Sequence, residues 1–222
     1  MPSGDRSLDA DLSELLAQAA SPRRAGAADA AALSRLFAAA FVSDPLFDWI
    51  ARRGPQRAHA LERFFFRLLC IRVIPFGEVW MSEGAAAAWL PPYAPADPGG
   101  FFEQAQLFVA FARMCGIARL GRGPALAAAM EKGHPAQPFF YLAFLAVAPR
   151  LQGQGLGSAL LTATLKRIDG RAMPVYLENS NPKNKRLYER AGFFARCDIA
   201  PPGAPALIPM WRPAQGSSSE SQ

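Results

Sequence analysis

Between an apolar run and a helical one stands Gln152-Gly153-Gln154-Gly155-Leu156-Gly157-Ser158. A backbone of this kind gathers N–H groups around an anion. Glycine has no Cβ to block the approach and tolerates positive φ. A helix that starts at the same place adds unpaired donors and a partial positive charge. The chemistry indicated is phosphate binding, and the spacing narrows the ligand. Alternating glycines are not the GxGxxG of dinucleotide sites. No Gly-Lys-Ser/Thr follows, which excludes a nucleotide P-loop.

A second constellation follows downstream: Asn181, Asn184, Tyr188 and then Gly192-Phe193. In a continuous helix Asn181 and Tyr188 share one face, with Asn184 near it. A phenol keeps its proton at neutral pH and gives it to a stronger base, so Tyr188 is a candidate general acid.

Gln152-x-x-Gly155-x-Gly157 after a strand ending Val147-x-Pro149, followed by Asn, Tyr and Gly-Phe, resembles the two signatures of the GNAT superfamily of N-acetyltransferases. The resemblance covers Phe139 to Phe193. Trp89-Leu90-Pro91-Pro92, Asp44-Pro45 and the His134-Pro135 pair extend it toward the puromycin N-acetyltransferase-like branch. It implies acetyl transfer from acetyl-CoA to a primary amine of a small molecule, by direct attack in a ternary complex. Leu145, Ala146 and Val147 would hold the pantetheine arm, and the backbone from Gln152 through Gly153, Gln154, Gly155, Leu156 and Gly157 to Ser158 the pyrophosphate. Asn181 and Asn184 would anchor the arm, and Tyr188 would protonate the leaving thiolate. The strand Phe139 to Ala148 has no carboxylate to act as base, so Glu178 is the first candidate. Asp44, Glu83, His134 or a water chain are the others. Phe41, Asp44, Trp89 and Tyr93, with Phe47 and Trp49, are the expected acceptor lining. The alternatives are a non-catalytic acyl-CoA sensor and a protein amino-group acetyltransferase.

These residues need a scaffold, and the pattern supplies one. Apolar residues at three-and-four spacing predict helices over 25–42 and 56–71. Strands are expected at 78–82 and 85–90 as a hairpin, then at 139–147, 173–178, 193–199 and 206–211. Helices are expected at 100–117 and 124–132, from 158 on, and over 181–191, where Gly192 is a suitable stop. The order predicts an α/β fold, a single GNAT-like domain over 23–213 with a mixed central sheet flanked by helices. Residues 1–22 read as a flexible leader and 214–222 as a disordered tail.

The net charge of +6 suits a polyanionic ligand, but the basic residues are scattered rather than striped, so nucleic acid is not the expected partner. With only two histidines and three widely spaced cysteines, neither a metal site nor a disulfide framework is expected. Arginines interrupt the most apolar run, so no membrane span is expected, and the cytoplasm is the expected compartment. Both monomer and homodimer stay open.

Overall fold

Alanine fills four successive positions of the strand Ala85–Leu90, and every residue of that strand is buried in the computed structural model of the chain. Small side chains on both faces of a central strand let helices close on it from both sides. The structure describes residues 4–95 and 99–216, so the ends of the expected leader (1–3) and tail (217–222) lie outside the described residues.

The elements are α1 (Gly4–Ala20), β1 (Arg23–Arg24), α2 (Ala30–Phe41), α3 (Pro45–Ile50), α4 (Arg57–Leu68), α5 (Ile74–Phe76), the hairpin β2 (Glu78–Ser82) and β3 (Ala85–Leu90), and α6 (Phe101–Cys115). There follow α7 (Arg122–Gly133), β4 (Phe140–Val147), α8 (Leu156–Asp169), β5 (Val175–Asn179), α9 (Lys185–Arg190), β6 (Phe194–Ala195) and β7 (Ile208–Arg212). The described strands form one mixed sheet, ordered β1-β2-β3-β4-β5-β7-β6. Its pairs are antiparallel except for β4 beside β5, which run parallel.

Strand alternation sorts the core into two layers. Ala85, Ala87 and Trp89 of β3 pack with Leu160, Leu161 and Leu165 of α8. Ala86 and Ala88 face the other way, toward Leu33 and Phe37 of α2 and Leu61 and Phe65 of α4. Burying each such Leu or Phe contributes roughly 1.5–3 kcal/mol relative to exposure.

The structure changes several boundaries. Gly4–Ala20, expected within the flexible leader, is helical, with Leu12, Leu15 and Leu16 packed on the core and Ala19 fully buried. That apolar stripe has a partner, α8, which lies far along the chain. Helix α4 gives way to a π turn at Leu69–Val73. Pro75, which follows within α5, has no N–H to extend a regular ladder. The expected helix over 181–191 splits into a 3-10 turn, Pro182–Asn184, and α9. Asn181 therefore precedes the helix instead of sharing a helical face with Tyr188. The expected strand at 193–199 shortens to β6 plus one isolated bridge between Ile199 and Leu207. No helix among the described residues is long and apolar enough to cross a membrane.

Candidate active site

Pairing between β4 and β5 stops early. Phe140 pairs with Val175 and Tyr141 with Tyr176, and there the ladder ends, while β4 stays paired with β3 as far as Val147. The parting coincides with a bulge. Ala88 pairs with Phe144 and Trp89 with Leu142, which leaves Ala143 as an extra residue on β4. One extra residue bends the strand and reverses the face that later side chains take. Phe140 and Leu142 pack on the α8 side, but beyond the bulge Phe144 and Ala146 pack on the α2 side. The Phe144 ring thus joins Phe65, Phe37 and Phe41 at centroid distances of 5.3, 5.6 and 5.7 Å. A cavity of about 290 Å³ occupies the parting, with Leu142 to Leu145 on one wall and Leu177 to Ser180 on the other.

At the end of β4 the glycine loop turns into α8. Gly153 and Gly155 have φ of +78° and +92°, a region that other residues enter with strain. A Cβ on Gly157 would lie 3.3 Å from Val147 Cγ2, so glycine lets the helix start press against the strand end. Leu156 anchors the turn with a fully buried side chain. The leading amides of α8, from Leu156 to Ser158, have no intrahelical acceptor, as at any helix N-terminus. The two glutamines brace the loop. Gln152 Nε2 donates to the Val147 carbonyl at 3.1 Å, and Gln154 Nε2 donates to the Arg150 carbonyl at 3.0 Å. What the loop offers an anion is therefore backbone. The Val147 carbonyl, expected to be open to a pantetheine arm, already accepts the Gln152 amide.

On the β5 side, Tyr188 is buried, stands edge-on to Phe193 at 6.0 Å and lines the cavity. Burial, and secondarily the charge of Asp44, push its phenol well above the usual range. Asn184 lines the cavity, whereas the Asn181 oxygen caps the 3-10 turn by accepting from the Lys183 N–H at 3.2 Å.

Asp44 also lines the cavity, and it caps α3. Its Oδ1 accepts from the Leu46 and Phe47 amides at 2.9 and 3.3 Å, and its Oδ2 accepts from the Ser180 hydroxyl at 2.6 Å. Burial pushes this carboxyl up, against the pull of those three hydrogen bonds. Glu178, read as a strand-end carboxylate, is 2% exposed at its side chain, and its Oε1 lies 3.1 Å from Nε2 of His134, which is 37% exposed. Glu178 Oε2 is buried and has no hydrogen-bond partner among the described residues. The phenols of Tyr141 and Tyr176 stand near it. Burial first, then the charge of Glu178 and hydrogen bonding to its carboxylate, push both up.

Phe41 and Phe47 line the cavity as expected, but three other expected acceptor residues, Trp89, Tyr93 and Trp49, do not. Trp89 alternates onto the α8 face and is buried in that core. Tyr93 follows Pro91-Pro92 out of the sheet and is 77% exposed. Trp49 stacks under the Arg122 guanidinium, 5.1 Å from the ring centre, and Glu83 is exposed in the hairpin turn. Sequence reasoning missed Tyr141, Ser180, Met130 and the Arg72-Val73 pair of the π turn, all of which line the cavity. Only the polar run after β5 hinted at Ser180.

Comparison with known proteins places this geometry. Residues 74–193, more than half of the chain, match the family described as Acetyltransferase (GNAT) family. A Corynebacterium glutamicum structure described as histone acetyltransferase HPA2 and related acetyltransferase superposes with a TM-score of 0.64 at 21% identity, over 89% of this chain and 98% of that one. Arylalkylamine N-acetyltransferase 2 from Aedes aegypti gives 0.57 at 13% identity, over 87% and 98%. Drosophila melanogaster polyamine N-acetyltransferase, described as forming N-acetylagmatine, gives 0.55 at 18%, over 86% and 97%. At such identities these likenesses speak for the fold: a mixed sheet flanked by helices on both faces. With its parted parallel strands, its glycine-led helix and a match over more than half its length, the chain belongs to the GNAT acetyltransferase family.

Proposed function

We propose that the protein is an acetyl-CoA-dependent N-acetyltransferase that acetylates a primary amine of a small molecule by direct attack in a ternary complex. The observation that carries this reading is the position of Tyr188. A buried, proton-retaining phenol lines the gap between parted strands, and the glycine-led helix start lies at the end of one of them.

The loop suits the coenzyme, because positive φ at Gly153 and Gly155 and the close approach of Gly157 to Val147 shape a tight backbone turn at the start of α8. Acetyl-CoA supplies the activated acetyl group as a thioester. The amides from Gly153 to Ser158 hold its pyrophosphate, and the β4 edge beyond the bulge receives the pantetheine arm as an added strand would. An N–H of β4 near Val147, rather than one at the pyrophosphate, would polarise the thioester carbonyl. Asn184 contacts the arm, and the NH2 group of Asn181 is a further donor to it. Tyr188 gives its proton to the departing sulfur, and the raised phenol keeps that proton until a thiolate develops. Glu178 serves as the base. The puromycin-type branch is supported by sequence features alone, of which Asp44 lies at the cavity and Trp89 does not.

The test is thiol release from acetyl-CoA across a panel of monoamines, polyamines, aminonucleosides and lysyl peptides. Turnover with a small amine supports the reading. Silence across the panel, with coenzyme binding intact, favours a non-catalytic sensor.

A further inference from the structure

The cavity holds two carboxylates, and they differ in what they have left to offer. Both Asp44 oxygens are engaged, by two amides and the Ser180 hydroxyl. Glu178 has one oxygen on His134 and a second, buried oxygen with no partner among the described residues. A buried, unpaired carboxylate oxygen is costly unless a donor joins it. Elsewhere the same cavity carries apolar side chains, among them Phe41, Phe47, Phe64, Phe111, Phe144 and Met130. The volume of about 290 Å³ sits at the small end of the roughly 300–1,000 Å³ of small-molecule pockets.

Resting on the acetyltransferase reading, we propose that the acceptor is an apolar primary monoamine whose ammonium group docks on Glu178 Oε2 and whose proton leaves through His134. A second ammonium would find the other carboxylate already engaged. The proton path runs outward along the exposure gradient, from Glu178 at 2% to His134 at 37%, across their 3.1 Å contact. Facing that contact are Tyr141 from β4 and Tyr176 from β5, with Arg72 of the π turn near Tyr141 and Arg196 near Tyr176.

The step balances. In becoming the amide, the ammonium group loses two protons. One offsets the proton that Tyr188 gives to the leaving sulfur, and the other reaches solvent by Glu178 and His134. The nitrogen lone pair forms the new C–N bond, and the C–S pair departs with sulfur.

The experiment compares 2-phenylethylamine and isoamylamine with putrescine, spermidine and a lysyl peptide, for wild type, Glu178→Gln and His134→Gln. Calorimetry follows amine binding with and without coenzyme A. The monoamines should lead in kcat/KM by about tenfold or more. E178Q should lower kcat/KM by about a hundredfold and abolish amine binding, while acetyl-CoA still binds. H134Q can hydrogen-bond but cannot relay a proton, so KM should hold, kcat should fall about tenfold, and the pH profile of kcat should change. Preference for a diamine or peptide overturns the substrate class. Amine binding intact in E178Q overturns the docking point, and an unchanged pH profile in H134Q overturns the relay. Failure of the underlying reading would show separately, as no thiol release by the wild-type protein with any of the amines, or as no binding of acetyl-CoA.

Discussion

The two ends of the proposed site are built in different ways. The proposed donor end is one contiguous stretch, from the close of β4 through the glycine loop into α8, and it offers backbone atoms. The acceptor end is assembled from side chains on α2, α3, α4, the π turn, α7, β4 and β5. A site made of backbone depends on which positions can lack a Cβ. A site made of side chains depends on which distant elements meet.

The largest effect should come at the seam between the ends. Tyr188→Phe should lower kcat by about 10²–10⁴-fold with acetyl-CoA affinity retained, measured by thiol release and by coenzyme titration. Full turnover would remove the phenol from the chemistry and leave the donor end as a binding device alone.

Next comes the backbone claim itself. Gly155→Val places a β-branched residue at φ +92°, at a strain of about 1–3 kcal/mol. The KM for acetyl-CoA should rise roughly tenfold, equivalent to about 1.4 kcal/mol. Gln154→Ala, which removes only a brace to Arg150, should change KM less than about twofold. Equal losses in the two variants would break the distinction between backbone-built and side-chain-built ends.

On the acceptor end, Asp44→Ala removes the α3 cap and should lower stability by about 0.5–2 kcal/mol in urea unfolding. The same change removes the charge beside Tyr188, so the alkaline ionisation of that phenol should move down, readable by tyrosinate absorbance. The smallest effect lies outside the site. The hydrogen bond from Arg23 holds the Asp29 carboxyl down at about 2. In the unfolded chain an aspartate titrates near about 3.9, so this pair stabilises the fold above that value and loses its effect as pH falls toward 2. The urea-midpoint difference between wild type and Asp29→Asn should therefore be small near neutrality and vanish at the acid end.

Legibility followed the same division. The loop, its glycines, the strand before it and the helix after it could be read from residue order, because each depends on neighbours within a turn or two. Tyr188 was legible as a residue, but its route into the cavity was not, since the 3-10 turn displaced the helical face assumed for it. Trp89 and Tyr93 were misplaced for a related reason. Composition marks a residue as able to line a pocket, but strand parity and the turn after Pro91-Pro92 decide which way it faces. The stripe of α1 was visible as amphipathic, yet nothing near it in sequence announces α8 as its partner.

Residue order alone determined the α/β class, the phosphate-type loop and the absence of a carboxylate on the strand that feeds it. Tertiary structure alone decided how the acceptor end is made. The Ala143 bulge turns Phe144 into the aromatic cluster just where the β4–β5 ladder ends. The meeting of β5 with the end of α7 sets Glu178 against His134. Register, parity and long-range packing are properties of paired elements, and a single strand carries no record of its partner's phase.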